Sequence, residues 1–139
     1  RELEISVIGN GRLQACAIGE IRTRQGFYSY DAKYTDEDAA ELVVPAAITD
    51  AEAETIRSHA VRACRACGID GMARVDFFRE SGSGRILINE VNTIPGFTSI
   101  SMYPRLCGAA GIPYSELLTR LADLAIERHR QRELIRYSR

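Results

Sequence analysis

Arg74-Val75-Asp76-Phe77-Phe78, a turn at Ser81-Gly82-Ser83-Gly84, and Ile86-Leu87-Ile88-Asn89-Glu90-Val91-Asn92 form the stretch that decides this chain. A rigid corner follows, Thr93-Ile94-Pro95-Gly96-Phe97-Thr98, running on to Ser99-Ile100-Ser101. Two apolar runs joined by a Gly-rich turn predict a β-hairpin. Side chains alternate along a strand, so residues i and i+2 share a face. Arg74, Asp76 and Phe78 are expected to point one way, and Ile88, Glu90 and Asn92 one way on the partner strand.

Polar residues stand here where apolar ones would serve folding better. Glu90 and Asn92 interrupt a β-branched run, and Asp76 sits between Val75 and Phe77. Pairing of the strands would bring Asp76 beside Glu90. Two adjacent carboxylates repel, and burying even one is costly without a partner. A divalent cation removes that cost. Asp, Glu and the Asn amide oxygen are hard ligands, and a few of them with room for water and phosphate oxygens suit Mg²⁺. Arg74, one step along the same face, is fit to hold an anion or a developing oxyanion. An ordinary hairpin with a solvated face, and a surface ion pair between Arg74 and Asp76 or Glu90, explains the spacing equally well.

The 139 residues suffice for one domain with its own core. The composition is 45% hydrophobic and 27% charged, with a net charge of −1. That leaves no global field to draw in nucleic acid. The last twelve residues hold five Arg against one Glu, which sets a basic tail (128–139) apart from residues 1–127. A solvated end is the simple reading of that tail. No run reads as a membrane helix and no stretch reads as a signal peptide, so neither is expected. The chain starts without Met on a strand-like pattern, as a piece of a longer protein would. Of the four cysteines, Cys64 and Cys67 have the C-x-x-C spacing of redox and zinc sites. They fall deep inside a helical pattern with no second ligand pair, so both are expected on a buried helix face, packing as small hydrophobes.

Along the rest of the chain, residues 2–9 alternate as a strand, Asn10-Gly11 marks a turn, and residues 13–21 return as a second strand. Residues 22–38 read as a loop rich in Tyr, and long loops in small domains are often lids. It carries Lys33, the one lysine among 18 basic residues, beside Tyr34. A compact ammonium suits phosphate oxygens, while a plain surface lysine is the competing reading. Thr49 and Glu52 form a capping-box pattern that opens a helix, and Gly68 stops it. Pro104 suggests a short helix ending near Gly108. Pro113 precedes an amphipathic helix with Leu117, Leu118, Leu121, Leu124 and Ala125 on one broad face, expected to pack in the core.

The strings Gly71-Met72-Ala73-Arg74-Val75-Asp76-Phe77-Phe78 and Asn89-Glu90-Val91-Asn92-Thr93-Ile94-Pro95-Gly96-Phe97-Thr98, followed by Ser101-Met102-Tyr103-Pro104, resemble the D-alanine–D-alanine ligase family of the ATP-grasp superfamily. The resemblance covers nearly the whole chain but only the C-terminal part of such a ligase. It implies an α+β fold, a C-terminal ATP-grasp subdomain over residues 1–127 with a mainly antiparallel sheet flanked by helices. It implies that Glu2 holds the ATP ribose and Lys33 the phosphates. Tyr34 would help to close the second-substrate site. Asp76, Glu90 and Asn92 would hold a pair of Mg²⁺ (or Mn²⁺) ions. Arg74 and the Gly96 N–H would form an oxyanion hole, and Ser101-Met102 would receive the second D-amino acid. Tyr34 and Met102 both lean towards D-alanine as that acceptor.

The function implied is ATP-dependent joining of two D-alanines through a D-alanyl phosphate, for peptidoglycan synthesis in the bacterial cytoplasm. ATP and D-alanine are the expected partners, without nucleic acid or membrane, and a homodimeric parent is one option. Without the lid and the first-substrate domain, the chain by itself is expected to be inactive. D-lactate or D-serine as acceptor, and a non-catalytic nucleotide-binding or interaction module, are the competing functions.

Overall fold

Alternating apolar residues make the first hairpin. Strands β1 (Glu2–Gly9) and β2 (Gln14–Thr23) pair antiparallel through the Asn10-Gly11 turn. The computed structural model describes residues 1–23, 40–98 and 100–134. β3 (Ala40–Val43) adds to the far side of β2. β4 (Gly71–Arg79) pairs with β1, and β5 (Ile86–Asn92) pairs with β4. The sheet order is β3-β2-β1-β4-β5, with every described pair antiparallel. The α+β expectation therefore holds.

Each face of the sheet is covered differently. Leu3, Ile5, Val7, Ala73, Val75 and Phe77 point to one side and pack with Ala53, Ile56, Ala60 and Cys64 of α1 (Asp50–Ala66). Full burial of a side chain such as Ile56 or Phe77 is worth about 1.5–3 kcal/mol. α1 opens on the expected capping box, with the Thr49 side chain accepting from Glu52 N–H and the Glu52 carboxylate accepting from Thr49 N–H. Cys64 is buried, but Cys67 is exposed. It is the C-cap residue, past the last turn, so the helix no longer turns it towards the sheet. All four cysteines are free.

The opposite face is covered only in part. α2 (Met102–Ala109) lies over β1 and β2 there, with Tyr103, Leu106 and Cys107 buried. Gly19 makes this approach possible. A Cβ at Gly19 would collide with Met102 Cε and stand 2.9 Å from Leu106 Cδ2. Pro104 sits in the first turn of α2, where its missing N–H costs nothing. The helix thus starts two residues before Pro104 rather than at it.

α3 (Tyr114–Glu133) follows Pro113. Leu117 is buried and Leu121 and Leu124 pack against the core, but Leu118 and Ala125 are exposed. The apolar face is broader than the part that α3 buries. The expected division at residue 127 falls inside α3, and Arg128 pairs with Asp70 at 2.9 Å. No described helix is long and apolar enough to cross a membrane.

Candidate active site

Strand register assembles the site. In one rung across four strands, Gly19 of β2 stands opposite Glu4 of β1, Glu4 opposite Asp76 of β4, and Asp76 opposite Glu90 of β5. The next rung holds Ser6, Arg74 and Asn92. Partners in an antiparallel ladder share a face, so all of these point away from α1. Asp76 and Glu90 are therefore neighbours, as the spacing predicts.

The expected face of Ile88 is not the observed one. Between Asp76 and Phe77 the register shifts, because Asp76 pairs with Glu90 while Phe77 pairs with Ile88. Asn89 is the extra residue of this bulge. Ile88 stands with Phe77 on the α1 side, while Glu90 and Asn92 stand with Asp76 and Arg74 on the other.

Coverage falls steeply along the first rung. Met102 and Leu106 close over its Gly19 end. Glu4 and Asp76 are 1% and 2% exposed, whereas the Glu90 side chain at the β5 edge is 54% exposed. Arg74 lies among these acids. Its Nε donates to Asp76 Oδ1 at 2.7 Å and its Nη2 to Asp76 Oδ2 at 2.7 Å. Nε is also 3.2 Å from Glu4 Oε2, and Nη2 is 4.0 Å from Glu90 Oε1. Burial disfavours the guanidinium charge, but the Asp76 hydrogen bonds and the three carboxylates outweigh it and raise the Arg74 pKa above its ordinary value. The ion pair anticipated as the plain reading of the hairpin is present, but it is buried rather than a surface pair.

The hard-oxygen donors suit a divalent cation in kind, with two carboxylates and an amide oxygen in adjacent rungs. Both Asp76 oxygens are engaged by Arg74, and Asn92 Oδ1 accepts from Ile94 N–H at 3.1 Å. Among the described residues no cluster of three or more His, Cys, Asp or Glu side chains is placed to hold a metal ion.

The corner after β5 brings Gly96 and Ser101 together. Thr98 N–H donates to Ser101 Oγ at 3.0 Å, and the two hydroxyls are 2.8 Å apart. A Cβ on Gly96 would come within 2.9 Å of Ser101 Oγ, so the absence of a side chain there makes room for the hydroxyl. Ser101 precedes α2 but gives it no side-chain cap. Met102 is buried beside Ile21 and Leu106, so its side chain belongs to the core. Glu2 lies on the site face, between Ile21 and Phe78. Lys33 and Tyr34 lie outside the described residues.

The first hairpin also carries two buried carboxylates, Glu4 and Glu20, that the sequence pattern does not single out. Glu20 is held by Arg1 at 2.7 Å and by Arg22 at 3.2 Å. The Arg1 hydrogen bond is the main reason its pKa falls below the usual range. Glu20 faces away from the site and is structural. Glu4 belongs to the site, and its signal was its parity with Glu2 on a strand that pairs with β4. Two grooves lie elsewhere. One of about 420 Å³ runs between Arg12 and Glu127, and one of about 500 Å³ between His59 and Ile88; neither includes Arg74, Asp76 or Glu90.

Residues 1–123 match the family model described as D-ala D-ala ligase C-terminus. A D-alanine–D-alanine ligase of Treponema denticola is 51% identical over 92% of this chain and 35% of its own length. The structure of the D-alanine–D-alanine ligase from Coxiella burnetii superposes with a TM-score of 0.80 at 37% identity, covering 96% of this chain and 34% of that one. The VanG D-Ala:D-Ser ligase from Enterococcus faecalis superposes with a TM-score of 0.76 at 38% identity, over 88% and 35% of the two chains. The chain thus spans about a third of the length of the relatives it matches. Within that span its sequence and its fold place it in the D-alanine–D-alanine ligase family, as the family's C-terminal part.

Proposed function

We propose that residues 1–127 are the catalytic ATP-grasp subdomain of an ATP-dependent ligase that joins two D-alanines, with 128–139 as a basic extension. The observation that carries this is the rung that sets Asp76 opposite Glu90 beside Arg74, within the family's fold. The γ-phosphoryl group of ATP passes to a carboxylate oxygen of one D-alanine and ADP leaves. The amine of a second D-alanine attacks the carbonyl carbon of that acyl phosphate and gives up a proton. Phosphate then departs and the peptide bond remains.

Asp76, Glu90 and Asn92 are the proposed holders of Mg²⁺. When bound, the metal neutralises triphosphate charge. Arg74 supplies a fixed positive charge for the oxyanion of the tetrahedral intermediate, together with the Gly96 N–H. Glu2 on the site face is assigned to the ribose, and Lys33 and Tyr34 to phosphates and acceptor. Ser101 Oγ is assigned to the acceptor carboxylate, and the buried Met102 shapes that region through packing. A bacterial cytoplasmic setting, in service of cell-wall peptide synthesis, follows from the same assignment.

The test is product analysis of the native protein that carries this chain. With ATP, Mg²⁺ and D-alanine, it should release ADP and phosphate in step with D-alanyl-D-alanine. Absence of dipeptide with all three present would refute the reading. A second reading, D-serine as acceptor, is favoured by the likeness to the VanG D-Ala:D-Ser ligase. Competition between D-alanine and D-serine in the same assay separates the two.

A further inference from the structure

Two thiols meet beneath α2. Cys16 Sγ of β2 donates to Cys107 Sγ of α2 at 3.7 Å, and both residues are buried. Ile8, Ile112 and Leu117 belong to the same apolar cluster, where two aliphatic side chains would serve packing as well. The groups around Cys107 are nevertheless arranged in one sense. It accepts from the Cys16 thiol. The hydroxyls of Ser6 and Tyr103 donate to Tyr103 O at 3.1 Å and to Val7 O at 3.2 Å, and both are close enough to turn to a Cys107 thiolate. Arg120 adds positive charge. Led by the Cys16 hydrogen bond, these groups hold the Cys107 thiol below its ordinary pKa, against the cost of burial. Cys64 is the contrast. It is buried against the other face of the sheet, and burial pushes its thiol up to about 11. Cys64 packs as a small hydrophobe, whereas Cys107 is prepared as a nucleophile.

We propose that Cys107 and Cys16 are a peroxide-oxidised dithiol, with Cys107 as the attacking sulfur and Cys16 as the one that closes a disulfide between β2 and α2. Peroxide is small, and local opening of the short α2 admits it. The Cys107 thiolate attacks one peroxide oxygen. The O–O bond breaks, Cys107 becomes a sulfenic acid, and the other oxygen leaves as water with the proton the thiol gave up. The Cys16 sulfur then displaces the sulfenic oxygen as a second water, and the S–S bond forms. Two thiols are oxidised by two electrons, and one peroxide is reduced to two waters. Cellular thiols would reverse the step, as for other redox-sensing pairs. None of this depends on the ligase assignment.

The probe is hydrogen peroxide, added to the reduced native protein at a dose that oxidises the exposed Cys67. Peptide mapping should recover residues 16 and 107 joined, with a mass 2 Da below the sum of the two thiol peptides, and dithiothreitol should separate them. Cys16→Ser should leave Cys107 as a sulfenic acid that dimedone traps. Cys107→Ser should slow oxidation of Cys16 by at least about tenfold. Recovery of Cys16 and Cys107 as unlinked thiols, or joined to other cysteines, overturns the proposal. A dimedone adduct on Cys16 of the Cys107→Ser protein, with none on Cys107 of the Cys16→Ser protein, overturns the order of attack. Should either variant fail to fold, the map of the wild-type protein decides whether the link forms.

Discussion

Arg74 and Asp76, two residues apart on one strand, form a two-point ion pair in which Nε and Nη2 each donate to a separate carboxylate oxygen at 2.7 Å. Such fork-to-fork pairing fixes the guanidinium plane as well as its charge. Arg74→Ala removes the cation and leaves Asp76 and Glu4 covered without it. The expected loss of stability is about 3–5 kcal/mol, measured by urea unfolding. Under the proposed ligase role, turnover should fall more than nucleotide affinity. A change confined to ATP affinity would refute the oxyanion role.

Asp76 and Glu90 face each other across the β4–β5 ladder, yet only Asp76 is buried. Replacement by the isosteric amide should therefore separate stability from function. Asp76→Asn should cost a few kcal/mol, since it breaks a buried pair. Glu90→Gln at the exposed edge should stay within about 0.5 kcal/mol. Both should nearly abolish ligase turnover. Full activity in either variant would remove its metal assignment.

Much of this arrangement is legible before folding. The hairpin from Gly71 to Asn92, the capping box at Thr49, the strand at Glu2–Gly9 and the helix after Pro113 all follow from local pattern and turn chemistry. The site residues stand out because charge interrupts apolar strands. What stayed hidden depends on partners distant in sequence. Glu4 looks like an exposed acid until β1 is known to pair with β4. Ile88 looks like a companion of Glu90 until the bulge is seen. Leu118 looks like a core residue, because alternation and helical period show a stripe but not how much of it a neighbour covers.

Gly96 and Ser101 share a space too small for another side chain. Gly96→Ala would place a Cβ 2.9 Å from Ser101 Oγ, which must shift and weaken its hydrogen bonds with Thr98. A loss of about 1 kcal/mol is expected by thermal unfolding. Ser101→Ala should cost little and should relieve part of the Gly96→Ala penalty. Simple additivity of the two changes would show that the corner does not couple them.

Glu52 links α1 to the end of β4 and sets a pH dependence. Its carboxylate accepts from Thr49 N–H, the largest cause of its lowered pKa, and from Arg79 Nε at 2.6 Å and the Thr49 hydroxyl, which together bring it to about 2. The folded-state pKa lies below the unfolded value near 4.5. Its stabilising contribution is therefore complete above the unfolded pKa and is lost as pH falls through 4.5 towards 2. Glu52→Gln should lower the melting temperature at neutral pH, and the gap from wild type should close progressively across that window. A gap that persists unchanged at the acid end would show that the link is not ionic.

The extra residue at Asn89 divides β5 into two halves that are out of phase. Ile86 and Ile88 answer to the hydrophobic side, and Glu90 and Asn92 to the polar side. In an unbroken strand these four would all have to face the same way. The bulge works as a change of beat, so that one short segment serves two masters. Asn89 is accordingly a position where composition is free and length is not. Many side chains fit its exposed place, but its deletion would force either the oily half or the charged half of the strand to turn its back on its task.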